Sequence, residues 1–185
     1  MTDVNQEARV DLALVTRVLL SNDQRAFEQL LRRHQGMVRA QLRRLLRGDE
    51  AAADDLAQET FVIAWRKLSQ FRAEAKFSTW LYRIAYACFL QAMRKKSLPM
   101  NAADDVLQQL PAQPLAVDLS MDMARAWQRL SAAEQVVLLH CVQLGMSHAE
   151  AAYVLAMPVG TVKTHATRGK AKLKLLLAAW HEEQA

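Results

Sequence analysis

The chain has 185 residues, 52% of them apolar, and its 24 Lys/Arg against 19 Asp/Glu leave a net charge of +5. That length and apolar share allow one or two packed domains and exclude a disordered chain, while the positive balance points towards an anionic partner. No apolar run approaches the roughly 18 residues that span a bilayer, and the polar, acidic start MTDVNQEARVD is not a signal peptide.

Only 5 Gly, 4 Pro and 3 Tyr occur, which favours helix over sheet; an all-α fold is expected. Residues 1–96 carry 17 Lys/Arg and 11 Asp/Glu and read as a first domain of four helices. A short amphipathic helix spans Asp11–Ser21 and stops at Asn22-Asp23. The next runs over Gln24–Arg47, with Phe27, Leu30, Leu31, His34, Val38, Leu42, Leu45 and Leu46 at helical spacing and Gly48 as its stop. Seven arginines between Arg25 and Arg47, against the single acid Glu28, give it a basic outer face. Such a face is usually just solvated, but the excess suits a polyanion or an acidic partner. The third helix starts near Asp49 and ends on Arg66 and Lys67, charges that complement its dipole. The fourth, from about Ser78 to Lys96, has a buried stripe of Leu81, Ile84, Ala85, Cys88 and Ala92. That stripe leaves Tyr82, Arg83 and Tyr86 nearer the surface.

Residues 97–120 hold three acids, no base and three of the four prolines, Pro99, Pro111 and Pro114. Proline removes a donor and restricts the residue before it, so this piece reads as a linker. A second helical domain occupies 121–185. Two capping boxes punctuate it, Ser131-x-x-Glu134 and Ser147-x-x-Glu150, and Gly145 ends the helix between them. Helix Ser147–Leu155, a turn at Ala156-Met157, and a basic helix opening at Pro158 form a helix-turn-helix pattern. The last helix places Val162, Ala166, Gly169, Leu173, Leu176, Leu177 and Trp180 on one side. In this motif the early part of the second helix reads base edges while further cations hold phosphates. Thr161, Lys163, Thr164, His165 and Thr167 occupy those early positions, with Arg168 and Lys170 following. A helical hairpin with a solvated basic face is the plainer alternative.

The segment Asp54–Tyr86 is acidic, then polar, then dense in rings and cations. Flat rings stack on unpaired bases and cations neutralise the strand's backbone. Core packing is the simpler account of Trp65, Phe71, Phe77 and Trp80; Tyr82 and Tyr86, four apart and off the apolar stripe, are the stacking candidates. Asp55 and Glu59, at i and i+4 beside Gln58, suit a surface strip that docks a partner protein. For catalysis the sequence offers little. The five glycines are isolated, the five histidines show no zinc spacing, and Cys88 and Cys141 lie in apolar helical surroundings that fit a reducing cytoplasm. No cofactor or metal is expected.

Two blocks resemble the extracytoplasmic-function (ECF) group of bacterial sigma factors. DLAQETFVIAWRKLSQFRAEAKFSTWLYRIA, from Asp55 to Ala85, is similar to that group's region 2. The stretch Leu130–Leu177 is similar to its region-4 helix-turn-helix, with Pro158-Val159-Gly160-Thr161-Val162-Lys163 the most telling string. The resemblance implies two helical domains on an extended linker and a non-catalytic initiation factor. It implies that Asp55, Gln58 and Glu59 dock on core RNA polymerase. Phe71, Arg72, Ala73, Glu74 and Lys76 would capture a flipped base of the −10 element, with Trp80, Tyr82, Arg83 and Tyr86 opening and holding the strand. Thr161, Lys163, Thr164, His165, Thr167, Arg168 and Lys170 would address the −35 element. The group commonly has Gly where Ala73 stands, Arg-Asn at Tyr86-Ala87, and Arg at His165.

The resemblance also implies promoter DNA and an anti-sigma factor, held at the inner membrane, as partners of a cytoplasmic chain that is monomeric when free. Elements about 25 base pairs apart lie ~85 Å from each other. A relaxed linker of this length spans only ~27 Å, so the free chain is expected to be compact or held closed by an inhibitor, and to bind promoter DNA poorly without polymerase. A stand-alone two-domain DNA-binding regulator is the runner-up, and an enzyme using Cys88 or Cys141 a third reading without a motif behind it.

Overall fold

Residues 3–96 and 121–183 are described by a computed structural model of the chain, and every regular element within them is a helix. Helix α1 spans Asp3–Ser21, starting earlier than its apolar pattern suggests, because Glu7, Ala8 and Arg9 are good helix formers. Asn22, at φ 49°, breaks it in the left-handed conformation that asparagine tolerates. Asp23 then caps α2 (Gln24–Leu45) by accepting from the Ala26 amide, and Asp49 caps α3 (Glu50–Lys67) by accepting from Ala52. A 3₁₀ turn, Leu68–Gln70, leads to a loop and to α4 (Phe77–Lys96).

These four helices enclose Leu14, Val15, Leu30, Val38, Leu42, Ala57, Ala64, Leu81 and Ala85, all nearly or fully buried. Buried Asp11 ties α1 to α2. It accepts from Arg33 Nε at 2.9 Å and lies 2.9 Å from His34 Nε2. Burial pushes its carboxyl up, but His34 and Arg33 outweigh burial and hold it below the usual range. Part of the basic face of α2 is spent in the same way across the α2–α3 packing: Arg39 lies 3.2 Å from Asp54, and Arg43 3.6 Å from Glu50.

The linker expected over 97–120 lies outside the described residues. Beyond it come α5 (Met121–Gln128) and α6 (Ala132–Leu138), the latter continued by a π-helical turn, Leu139–Gln143. Gly145, at φ 65°, makes the stop. Helices α7 (His148–Leu155) and α8 (Val159–Glu183) follow, and both expected capping boxes form with reciprocal bonds. At Gly169 α8 passes close against α6: a Cβ there would stand 2.8 Å from Leu138 Cδ1.

The two helical units pack on each other, and their buried residues form one continuous apolar cluster. Phe89 of α4, fully buried, faces a small cavity shared with Ala132, Val136 and Leu139. Buried Gln41 of α2 meets buried His140 of the second unit at 3.0 Å. His140 Nδ1 lies 2.8 Å from the Val136 carbonyl, which can only accept, so Nδ1 carries the proton and Nε2 accepts from the Gln41 amide. Burial drives the His140 pKa down to about 4, the Val136 bond opposing it, so the ring is neutral at pH 7.

One expectation is corrected here. Tyr86 is 3% exposed rather than near the surface, stacked on Phe89 at 6.1 Å and edge-on to the His140 ring at 5.7 Å. The side of α4 that carries Tyr86 is covered by His140 of the second unit. The periodicity of α4 alone carries no trace of that.

Candidate nucleic-acid and partner interfaces

Helix α3 presents Asp55, Gln58 and Glu59 together on its exposed side. Unlike Asp54 one residue earlier, neither Asp55 nor Glu59 forms a salt bridge with another described residue. Immediately beside them an apolar groove of about 380 Å³ opens between α2 and α3, with Phe27, Leu31, Phe61, Val62 and Trp65 in its walls and Gln58 at its edge. Val62 is 49% exposed. An apolar residue three positions after Glu59, on the same helix face, is the sequence feature that could have marked the groove.

The loop between the 3₁₀ turn and α4 is anchored by rings. Phe71 packs edge-on to Phe77 at 5.6 Å and against Trp80 at 5.4 Å, so these three rings are mainly a structural cluster, as the simpler account had it. Arg72, Ala73 and Glu74 project from it, exposed. Ala73 takes φ 56°, a left-handed conformation that costs a residue with a Cβ but not glycine.

Helix periodicity then divides the α4 residues. Trp80 and Arg83 line a groove of about 440 Å³ with Lys67, Ile84 and Tyr153. Tyr82 turns the other way, into a separate cavity with Lys76, Ser78 and His34. Burial raises the Tyr82 pKa, Arg44 opposing it, and burial likewise pushes the Tyr86 hydroxyl up. So the sequence-derived set does not lie on one surface: Trp80 and Arg83 come together, Tyr82 does not join them, and Tyr86 is enclosed.

In the helix-turn-helix, α7 ends at Ala156 in a left-handed conformation, φ 54°, and α8 starts at Val159. Val162, Ala166 and Gly169 point inward. Thr161, Lys163, Thr164, Thr167, Arg168 and Lys170 are exposed, and His165 is half-buried. Thr164 Oγ1 bonds back to the Gly160 carbonyl at 2.9 Å, which limits its freedom to reach a base. Lys172 is committed elsewhere: its Nζ lies 2.8 Å from the buried Glu134 carboxylate. Burial raises the Glu134 pKa, but Lys172 and Ser131 together hold it below the ordinary range.

Among the described residues no cysteine thiol is activated as a nucleophile. The Cys88 and Cys141 thiols are both pushed up chiefly by burial, the opposite of what thiolate chemistry needs. No group of three or more His, Cys, Asp or Glu among the described residues is arranged to hold a metal, and no described helix is long and apolar enough to cross a membrane.

The comparisons with known proteins agree in both halves. Sigma-70 region 2 matches residues 30–98 and Sigma-70 region 4 matches residues 120–173. The RNA polymerase sigma factor NccH of Alcaligenes xylosoxydans xylosoxydans is 33% identical, over 91% of this chain and 95% of its own. The ECF RNA polymerase sigma factor SigM of Mycobacterium tuberculosis is 32% identical, over 85% and 80%. Among solved structures, CnrH in complex with the cytosolic domain of CnrY has a TM-score of 0.64 at 31% identity, covering 92% of this chain and 98% of that one. RpoE in complex with the anti-sigma factor NepR, from Bartonella quintana, has a TM-score of 0.61 at 26% identity, covering 82% and 96%. Region 2, region 4, their order and the length of the match leave one conclusion: the chain belongs to the sigma-70 family and is an ECF RNA polymerase sigma factor.

Proposed function

We propose that this sigma factor docks on core RNA polymerase through Asp55, Gln58 and Glu59, together with the apolar groove that Gln58 borders. The observation that carries this is the exposed acidic strip on α3, which forms no salt bridge with another described residue, in a helix whose other acids, Glu50 and Asp54, are paired with Arg43 and Arg39. Unpaired carboxylates beside an apolar groove suit a partner that brings both cations and an apolar side chain. Residues 1–96 form the unit that engages polymerase and the −10 element, residues 121–185 the unit that reads the −35 element, and 97–120 the connection between them.

Within the first unit Arg72, Ala73, Glu74 and Lys76 meet the displaced strand, and Trp80 and Arg83 line its path. Phe71 acts by holding the loop, and Tyr82 and Tyr86 by packing. In the second unit Thr161, Lys163, Thr164, His165 and Thr167 face base edges, and Arg168 and Lys170 the phosphates. The chain does no covalent chemistry of its own, works in the cytoplasm as a monomer, and is restrained by an anti-sigma factor. The solved relatives captured with CnrY and with the anti-sigma factor NepR support that last partner. Size-exclusion chromatography with core polymerase tests the docking: the native chain co-elutes, and Asp55→Arg/Glu59→Arg does not. Co-elution of the double variant would remove the strip from the interface.

A further inference from the structure

Two cations assigned to the displaced strand, Lys76 just before α4 and Arg83 within it, are already engaged from within the chain. Lys76 Nζ lies 2.9 Å from Glu150 Oε1, and the Arg83 guanidinium lies 4.7 Å from the centre of the Tyr153 ring. Both cations belong to the first unit. Both of their partners belong to α7, the first helix of the helix-turn-helix, three residues apart and therefore on one helix face. A carboxylate against a lysine and a flat ring under a guanidinium reproduce the two contacts that a single strand offers, phosphate and base. The groove lined by Lys67, Trp80 and Arg83 is bordered by that same Tyr153 ring. Glu150 is held in place, because its other oxygen closes the α7 capping box on Ser147.

We propose that α7 is an internal stand-in for the unpaired −10 strand, so that the closed chain and the strand-bound chain exclude each other. The inference rests on the reading of Lys76 and Arg83 as strand contacts. Neither contact is deep: the Lys76 side chain is 46% exposed and that of Glu150 27%. Shallow ion pairs are weak, which suits an occupant that must leave when the strand arrives. Region 4 then reaches its own DNA site only after α7 has left α4, and the same event frees Lys76 and Arg83. Opening of the chain and exposure of the strand face become one step.

The test uses the full-length chain and a fluorescein-labelled, random-sequence 15-nucleotide single strand, with anisotropy as the readout. Glu150→Gln removes the charge but keeps a residue that can still close the capping box, and Tyr153→Leu keeps apolar bulk. The double variant is expected to bind the strand about 5- to 30-fold more tightly than the native chain, the gain of relieving one shallow ion pair and one cation–π contact. Adding Lys76→Gln/Arg83→Gln should abolish the gain. A parallel arm measures −10 opening by the Lys76→Gln/Arg83→Gln holoenzyme with permanganate. No gain in strand affinity, with opening impaired in that arm, overturns the stand-in while leaving the strand face intact. No gain with opening unimpaired overturns both the stand-in and the assignment of Lys76 and Arg83.

Discussion

At Ala73 a single backbone angle connects sequence to site. The family resemblance noted that glycine is common there, and the left-handed φ of 56° gives the physical reason. Ala73→Gly should stabilise the protein by roughly 0.5–1 kcal/mol, as relief of the Cβ clash outweighs the added chain entropy. Urea unfolding of the two proteins measures it. His140 makes a different demand. Its neutral ring is buried, and its folded pKa of about 4 lies below the ordinary 6.5. The unfolded chain therefore binds a proton below pH 6.5 that the folded chain refuses. Stability is fully present above that pH and falls by about 1.4 kcal/mol per unit towards pH 4, roughly 3 kcal/mol in all. His140→Gln should flatten that part of the pH profile of unfolding. The His140 bond to Gln41, 99 residues away, was beyond any local pattern.

Helices were legible where their own ends announce them. Asp23, Asp49, Ser131 and Ser147 all cap as their residue types demand, and the turn at Ala156-Met157 falls where the helix-turn-helix pattern put it. What one helix does to another was less legible. The spacing of α4 located Leu81, Ala85 and Cys88 in the core, yet missed Tyr86, because a second unit covers that side. Glycines make the same point in a testable pair. Gly36 lies exposed within α2 with nothing within 4 Å of an added Cβ, so Gly36→Ala should stabilise by roughly 0.5–1 kcal/mol. Gly169→Ala gains the same propensity, but its Cβ meets Leu138, itself buried, and should cost about 1–2 kcal/mol net. Thermal melts of the two variants should move in opposite directions.

For the molecule as a whole, the arithmetic of reach and the observed packing agree. A relaxed 24-residue connection is too short to hold two DNA-reading units ~85 Å apart unaided, and the described units close on each other through Phe89, Gln41–His140 and Lys76–Glu150. On the proposed function polymerase would supply what holds them apart, through the acidic strip of α3. The decisive measurement is abortive transcription by purified core polymerase on a promoter library, with the native chain and with Asp55→Arg/Glu59→Arg. Promoter-specific transcripts should appear only with the native chain and fall at least about tenfold with the double variant, the loss of two charge contacts at an interface. Equal transcription by the two proteins, or promoter binding by the free chain without polymerase and no transcripts with it, would contradict the account.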